Sequence, residues 1–227
     1  MPLGLARAVQ QFQAAPEGRT AKTLTAYGNA QIDTAQSKFG GASALFDGVS
    51  DAIKVTTGLS DFEGSGDFTY EFWLRTTAAG GRYAIVDQRN NSNSATTFNI
   101  FLWDGTLNLY QNGFISFGGT WANNTWYHIA VTKSGTTYKA YQNGSLIGTV
   151  TGAGTIPTVG EFNIGLANDE INWDYNGWLD EIRVSDTVRY TSNFTAPTSA
   201  FANDSNTLLL IHCDGADGST TFTDDAT

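Results

Sequence analysis

The chain has 227 residues, of which 41% are hydrophobic and 13% aromatic, enough for a sizeable core, and its formal net charge is −10. That charge excludes nucleic acid, whose phosphates must be met by clustered Lys and Arg, and disfavours anionic membrane surfaces. It is compatible with neutral glycans or divalent cations. Only 15% of residues are charged, against a usual roughly 25%, and Gly, Thr, Asn and Ser fill the difference, favouring strands and turns over helices.

Residues 1–23 are rich in Ala and Gln, and Leu5, Val9 and Phe12 fall at roughly helical spacing. The segment reads as an N-terminal arm or short helix, either a leader or an attachment to a larger assembly. It lacks a basic n-region followed by an apolar h-region, so no Sec signal peptide is expected. No apolar run approaches the roughly 20 residues of a membrane span, so no membrane insertion is expected.

From residue 24 onward the sequence is strand and turn. Alternating or apolar runs occur at ALFD (44–47), FTYEFWLR (68–75), YAIVD (83–87), TFNIFLW (97–103), LNLYQ (107–111) and FISF (114–117). They continue at WYHIAVTK (126–133), YKAYQ (138–142), EFNIG (161–165), NGWLDEIRVS (176–185) and LLLIHC (208–213). Asn112-Gly113 and Asn143-Gly144 are hairpin signals, because both residues tolerate the positive φ of a type I′ turn. Many short strands without intervening helices predict an all-β sandwich or jelly roll, one domain over 24–227. ALFDG (44–48) is echoed by IHCDG (211–215), so residues 207–227 either complete this domain or open a further, truncated module. The single Cys213 excludes an internal disulfide.

In NGWLDEIRVS the two-residue period puts Trp178, Ile182 and Val184 on one face, with Asp180 in their row. A buried carboxylate there requires a partner. Glu181 and Arg183 fall on the opposite face and read as part of a surface charge ladder. The best functional lead is the loop ANDEINWDYNGW (167–178), where Trp173 and Tyr175 stand among Asn168, Asp169, Glu170, Asn172 and Asp174. Sugars are held by ring faces stacked on aromatics and by amides and carboxylates on their hydroxyls, the pattern of a ligand site. Trp173, Tyr175, Asn172, Asp174, Trp103 and Trp121 are therefore the candidate carbohydrate contacts. Protein interface and core packing remain the alternatives for the rings.

FGGASALFDGVSDAIKV (39–55), DFTYEFWLRT (67–76), TWYHIAVTKSGTTYKAYQNGSLIG (125–148) and FNIGLANDEINWDYNGWLDEIRVSDTVRYTSNFTAP (162–197) stand in register. Together they resemble laminin G-like, concanavalin A-like jelly-roll modules of bacterial surface and phage structural proteins. RYTSNFTAP and the TLLLIHCDGADGSTTFTDD tail have a phage-virion character. The resemblance implies a concanavalin A-like β-sandwich of two antiparallel sheets, often with structural calcium. The matching ligands would be Asp180, Asp47 and Asp51; the alternative is that Asp180 caps a loop or pairs with an arginine. Related glucanases carry Glu-x-Asp-x-(x)-Glu on one strand, and this chain has no such run: Glu71 stands alone and Asp180-Glu181 are adjacent. His128 reads as structural, at a position where related modules also carry His. The expectation is a non-enzymatic adhesion or decoration module on a virion or extracellular surface, binding cell-surface glycans. The rivals are a structural virion or cell-surface protein whose aromatic loops meet neighbouring subunits, homo-oligomers included, and, last, a glycoside hydrolase.

Overall fold

The alternation in the sequence becomes two antiparallel sheets packed face to face in a computed structural model. It describes residues 20–89, 96–111, 113–152, 154–156, 159–167 and 173–226. In chain order the strands are β1 (Leu24–Tyr27), β2 (Gln31–Asp33), β3 (Ser43–Asp47), β4 (Ala52–Val55), β5 (Phe68–Thr76) and β6 (Arg82–Arg89). Next come β7 (Thr96–Trp103), β8 (Thr106–Tyr110), β9 (Phe114–Gly118), β10 (Tyr127–Ser134) and β11 (Thr137–Gln142). The last are β12 (Ser145–Thr151), β13 (Glu161–Ile164), β14 (Asn176–Ser185) and β15 (Thr207–Ile211). One sheet runs β1-β4-β13-β6-β7-β8-β9; the other runs β12-β11-β10-β5-β14-β3-β2, with β15 added to β14. Between them lies one apolar core, including Phe46, Phe72, Phe98, Ile100, Ile129 and Phe162.

The Asn143-Gly144 signal is realised: both residues have positive φ and join β11 to β12 through the Gln142↔Ser145 pair. Asn112 lies outside the described residues. No helix among the described residues is long and apolar enough to cross a membrane. The 207–226 stretch packs on this sandwich. β15 pairs with β14, and Ile32 N–H donates to Ser219 O while Gly218 N–H donates to Ile32 O.

The predicted phase of β14 holds for only half of the strand. Asp180 pairs with Trp73 and Arg183 with Glu71, so Glu181 and Ile182 together face the single residue Phe72. This two-against-one arrangement is a β-bulge, and Glu181 takes the left-handed φ of 51°. Before it, Leu179 points into the core while Trp178 and Asp180 point outward; after it, Ile182 and Val184 point inward. Asp180 therefore never shares a row with Ile182 and Val184.

The outward face of the eight-stranded sheet is covered by the segment 186–206, so Glu181 and Arg183 are buried and form no surface ladder. Glu71 is the centre of this contact. Its Oε1 lies 2.7 Å from Arg183 Nη2 and 3.6 Å from Arg189 Nε, and its Oε2 accepts from Tyr190 Oη at 2.8 Å. His128 Nε2 lies 3.3 Å from the same Oε2, which bears out a structural histidine. Burial raises the Glu71 pKa, but His128 and the Arg183 guanidinium outweigh it and hold the carboxyl below its usual range. Within the covering segment, Tyr190 and Phe194 stack at 3.6 Å, and Phe201 N–H donates to Glu181 Oε2. Removing one member of a buried ion cluster strands the others. Glu71→Ala should therefore cost about 3–5 kcal/mol in denaturant unfolding; a loss below about 1 kcal/mol would show that the arginines are solvated instead.

Candidate functional site

The outward face of the seven-stranded sheet is not covered in the same way at its β7–β9 end. Asp104-Gly105, with φ of 47° and 74°, turns β7 back into β8 and leaves Trp103 paired with Thr106 at the strand end. Core and outward residues alternate along β7, so Phe98, Ile100 and Leu102 enter the core while Asn99, Phe101 and Trp103 point out. On the neighbouring strands, Tyr110 and Phe114 sit opposite one another in the same outward layer. Phe114 meets Trp103 and Phe101 at 5.2 Å each and Tyr110 at 6.2 Å. Trp103 is 37% and Phe114 50% exposed, so this ring cluster opens to solvent.

Behind it stands a charged layer. Arg82 is the β6 partner of Trp103, and its guanidinium carbon lies 4.3 Å from the Trp103 ring centre and 3.2 Å from that of Trp173. Trp173 is fixed there because its carbonyl accepts from Ala84 N–H at 2.9 Å, and its ring stacks on Phe101 at 5.4 Å. Deeper along the sheet, one cross-strand row runs Lys54, Asn163, Asp87, Asn99, Tyr110, Phe114. Asp87 accepts from Asn99 Nδ2 and Arg89 Nε within it, so its carboxylate is already matched. Asn163, Asp87 and Asn99 are buried.

Of the predicted contacts, the structure brings Trp103 and Trp173 together, with Trp173 committed to Phe101 and Arg82. Asp174 follows it, half-buried. Tyr175 is a correction: it is fully buried, edge-on to Phe46 and Tyr83, and its hydroxyl donates to Trp178 O, so no sugar reaches its ring. Trp121 is another, lying against Tyr127 and the core where β9 leads to β10, apart from the cluster. Asn172 lies outside the described residues. Phe114 and Arg82 were not anticipated. The signal for Phe114 was the Asp104-Gly105 turn, which with the next hairpin lays β7, β8 and β9 side by side.

The profile of the concanavalin A-like lectin/glucanases superfamily, laminin G-like branch, matches residues 47–193. The chain belongs to this superfamily. No curated protein matches it in sequence. Domain 4 of an extracellular arabinanase from Geobacillus stearothermophilus, solved with arabinotriose, is similar at TM-score 0.58 and 16% identity, over 74% of this chain and 82% of that one. A putative carbohydrate binding protein from Bacteroides ovatus is similar at 0.58 and 15%, over 91% and 56%. A structure of botulinum neurotoxin type C, described by its interaction with two ganglioside molecules, is similar at 0.55 and 17%, over 76% and 44%. The chain thus spans about half the length of the latter two.

The calcium that membership in this superfamily suggested finds no assembled ligand set. Asp47 pairs with Asn176, four residues from Asp180 along β14, which at about 3.3 Å per residue is about 13 Å. Calcium ligands sit at roughly 2.3–2.6 Å from the ion, so the three carboxylates cannot share one. Instead Asp51 accepts from Asn29 and Asp47 N–H, and Asp47 from Val49 N–H. Asp180 Oδ2 accepts from Lys38 and Phe39 N–H at 2.7 and 3.1 Å, capping the β2–β3 loop. Among the described residues no group of three or more His, Cys, Asp or Glu side chains is arranged for a metal. Asp180→Ala should accordingly leave any response of the melting temperature to EDTA as it is in the wild type, and a response lost in that variant would return Asp180 to a metal site.

Asp180 Oδ1 has no hydrogen-bond partner among the described residues, and burial pushes the Asp180 pKa up to about 7. His212, whose Nδ1 lies 2.9 Å from Glu181 Oε1, is also raised, chiefly by that bond. A raised folded pKa contributes stability below the unfolded value and loses it as pH rises through the folded one. The melting temperature should therefore fall from pH 5 to pH 8 (values spanning these titrations). Asp180→Asn, which keeps an acceptor for the two N–H groups, should flatten that slope; an unchanged slope would remove Asp180 as its source.

Proposed function

We propose that the protein is a non-catalytic carbohydrate-binding module that uses Trp103 and Phe114 as its stacking platform. The observation that carries this is their joint exposure. The described residues expose Tyr27, Val49, Trp103, Phe114 and Leu146 as large apolar side chains, and of these Trp103 and Phe114 meet ring to ring. Tyr27 is capped by the Lys54 ammonium at 4.0 Å. An exposed aromatic pair rimmed by polar groups marks a binding surface. Support also comes from the fold neighbours, whose descriptions name arabinotriose, gangliosides and carbohydrate binding.

The absence of catalysis is part of the proposal. Retaining hydrolysis needs two carboxyls about 5–5.5 Å apart with room for substrate. Glu71 is held by two arginines and a tyrosine, Glu181 by His212, and Asp87 by Arg89 and Asn99. Each is tied into structure. Display on a virion or other extracellular surface completes the reading and rests on the character of the 189–197 and 207–225 segments.

Truncating a platform ring removes most of its contact energy. Trp103→Ala and Phe114→Ala should each weaken glycan-array and calorimetric binding by roughly tenfold or more, with little change in melting temperature because both rings are exposed. If the wild type binds no glycan and Trp103→Ala instead shifts the oligomeric state in light scattering, the platform is a subunit interface.

A further inference from the structure

The back of the platform says which glycans it takes. Arg82 and Trp103 are cross-strand partners, and the guanidinium carbon lies close to two indoles, 3.2 Å from the Trp173 centre and 4.3 Å from that of Trp103. Both indoles thereby meet the planar cation, a contact that suits Arg better than Lys. The arginine lies over the Trp103 ring, which nevertheless stays 37% exposed. Trp173 is in turn backed by Phe101, so Phe101, Trp173, Arg82 and Trp103 form one chain of contacts ending at solvent.

The rim carries the opposite charge. Each indole is followed by an aspartate: Asp104 is exposed and Asp174 half-buried. Neither has an ion pair among the described residues. Ionised carboxylates only accept hydrogen bonds, so they suit the hydroxyl donors of a neutral sugar. They repel a uronate or sialate carboxylate, as does the chain's net charge of −10. We propose that Arg82 is a positioning wedge that sets the Trp103 ring from behind rather than an anion-binding group, and that the site takes neutral glycans. The second part rests on the glycan reading above; the first does not.

The test uses the whole chain on an array of neutral oligosaccharides and of matched chains bearing a uronic or sialic acid, at low and high salt. The wild type should bind neutral chains alone, with no salt dependence. Arg82→Gln, whose flat amide can fill the same slot without charge, should keep most of that binding. Arg82→Ala should lose roughly tenfold or more. Salt-sensitive binding of acidic chains that disappears in Arg82→Gln would overturn the proposal, because the charge would then be the contact. Wild-type affinity in Arg82→Ala would equally overturn it.

Acrylamide quenching of indole fluorescence reads the wedge without any sugar. Arg82→Ala should raise quenching over both the wild type and Arg82→Gln, and the increase should vanish in a Trp103→Phe background. No increase would remove the wedge. If the wild type binds no glycan while quenching behaves as expected, the glycan reading and the neutral class fall and the wedge stands.

Discussion

The bulge at Asp180-Glu181 is the constraint on which the rest of the sandwich depends. β14 has β5 along its whole length, but its other neighbour changes, from β3 before the bulge to β15 after it. A strand of unbroken period would send Ile182 and Val184 to the outward face and Arg183 into the core. The extra residue corrects the phase, so Leu179, Ile182 and Val184 all reach the core while Asp180 and Arg183 both point away from it. Each outward charge then has a structural task. Asp180 holds the turn after β2, and Arg183 meets Glu71. A residue at φ 51° costs backbone energy, of order 1–3 kcal/mol, which only an over-determined surrounding structure sustains.

From that pairing follows an asymmetry between the two outward faces. Glu71 and Arg183 create a charged centre on the eight-stranded sheet with His128 beside it, and 186–206 folds over it with Tyr190, Phe194 and Phe201. The cover is fixed at several points: Arg189 forms two 2.8 Å bonds to Asp204, and Phe194 N–H reaches Gly144 O. A Cβ on Gly144 would lie 2.0 Å from Phe194 O, so the close approach requires glycine as much as the turn does. Where this segment lies, the face is closed over Glu71, Arg183 and His128, all of which are buried. The other sheet keeps its outward rings at β7–β9 in the open.

How far the sequence carried the reading can be seen residue by residue. Period-two runs located most strands, and four segments in register identified the sandwich, because both signals are local or collinear. Asp180 was singled out for the right reason, burial of a charge, but in the wrong row, since a bulge is one residue long and leaves no periodic mark. Trp173 and Tyr175 are two apart and look equivalent in the sequence. The main-chain bond from Ala84 to Trp173 O turns one towards Arg82, and Tyr175 goes to Phe46 in the core. Phe114 was invisible as a site residue because its partner Trp103 reaches it only through two hairpins. Arg82 was invisible because cross-strand pairing, not spacing, puts it beneath an indole.

The placement of the platform also follows from strand order. β1 forms one edge of the seven-stranded sheet and β9 the other, six steps apart, or about 29 Å at roughly 4.8 Å per step. Lys22, just ahead of β1, donates its N–H to Asp224 at 2.7 Å, so both ends of the described chain gather near the β1 edge. Phe114 stands on the opposite edge strand and Trp103 two strands in from it. Lys22 also pairs with Asp61 at 2.6 Å, and Leu210 N–H shares Asp224 with it, so the joined ends are themselves held to both halves of the sandwich. Arg82 on β6 and Trp103 on β7 stand three and four steps from β1 along the sheet, so their contact is built away from the edge where Lys22 meets Asp224.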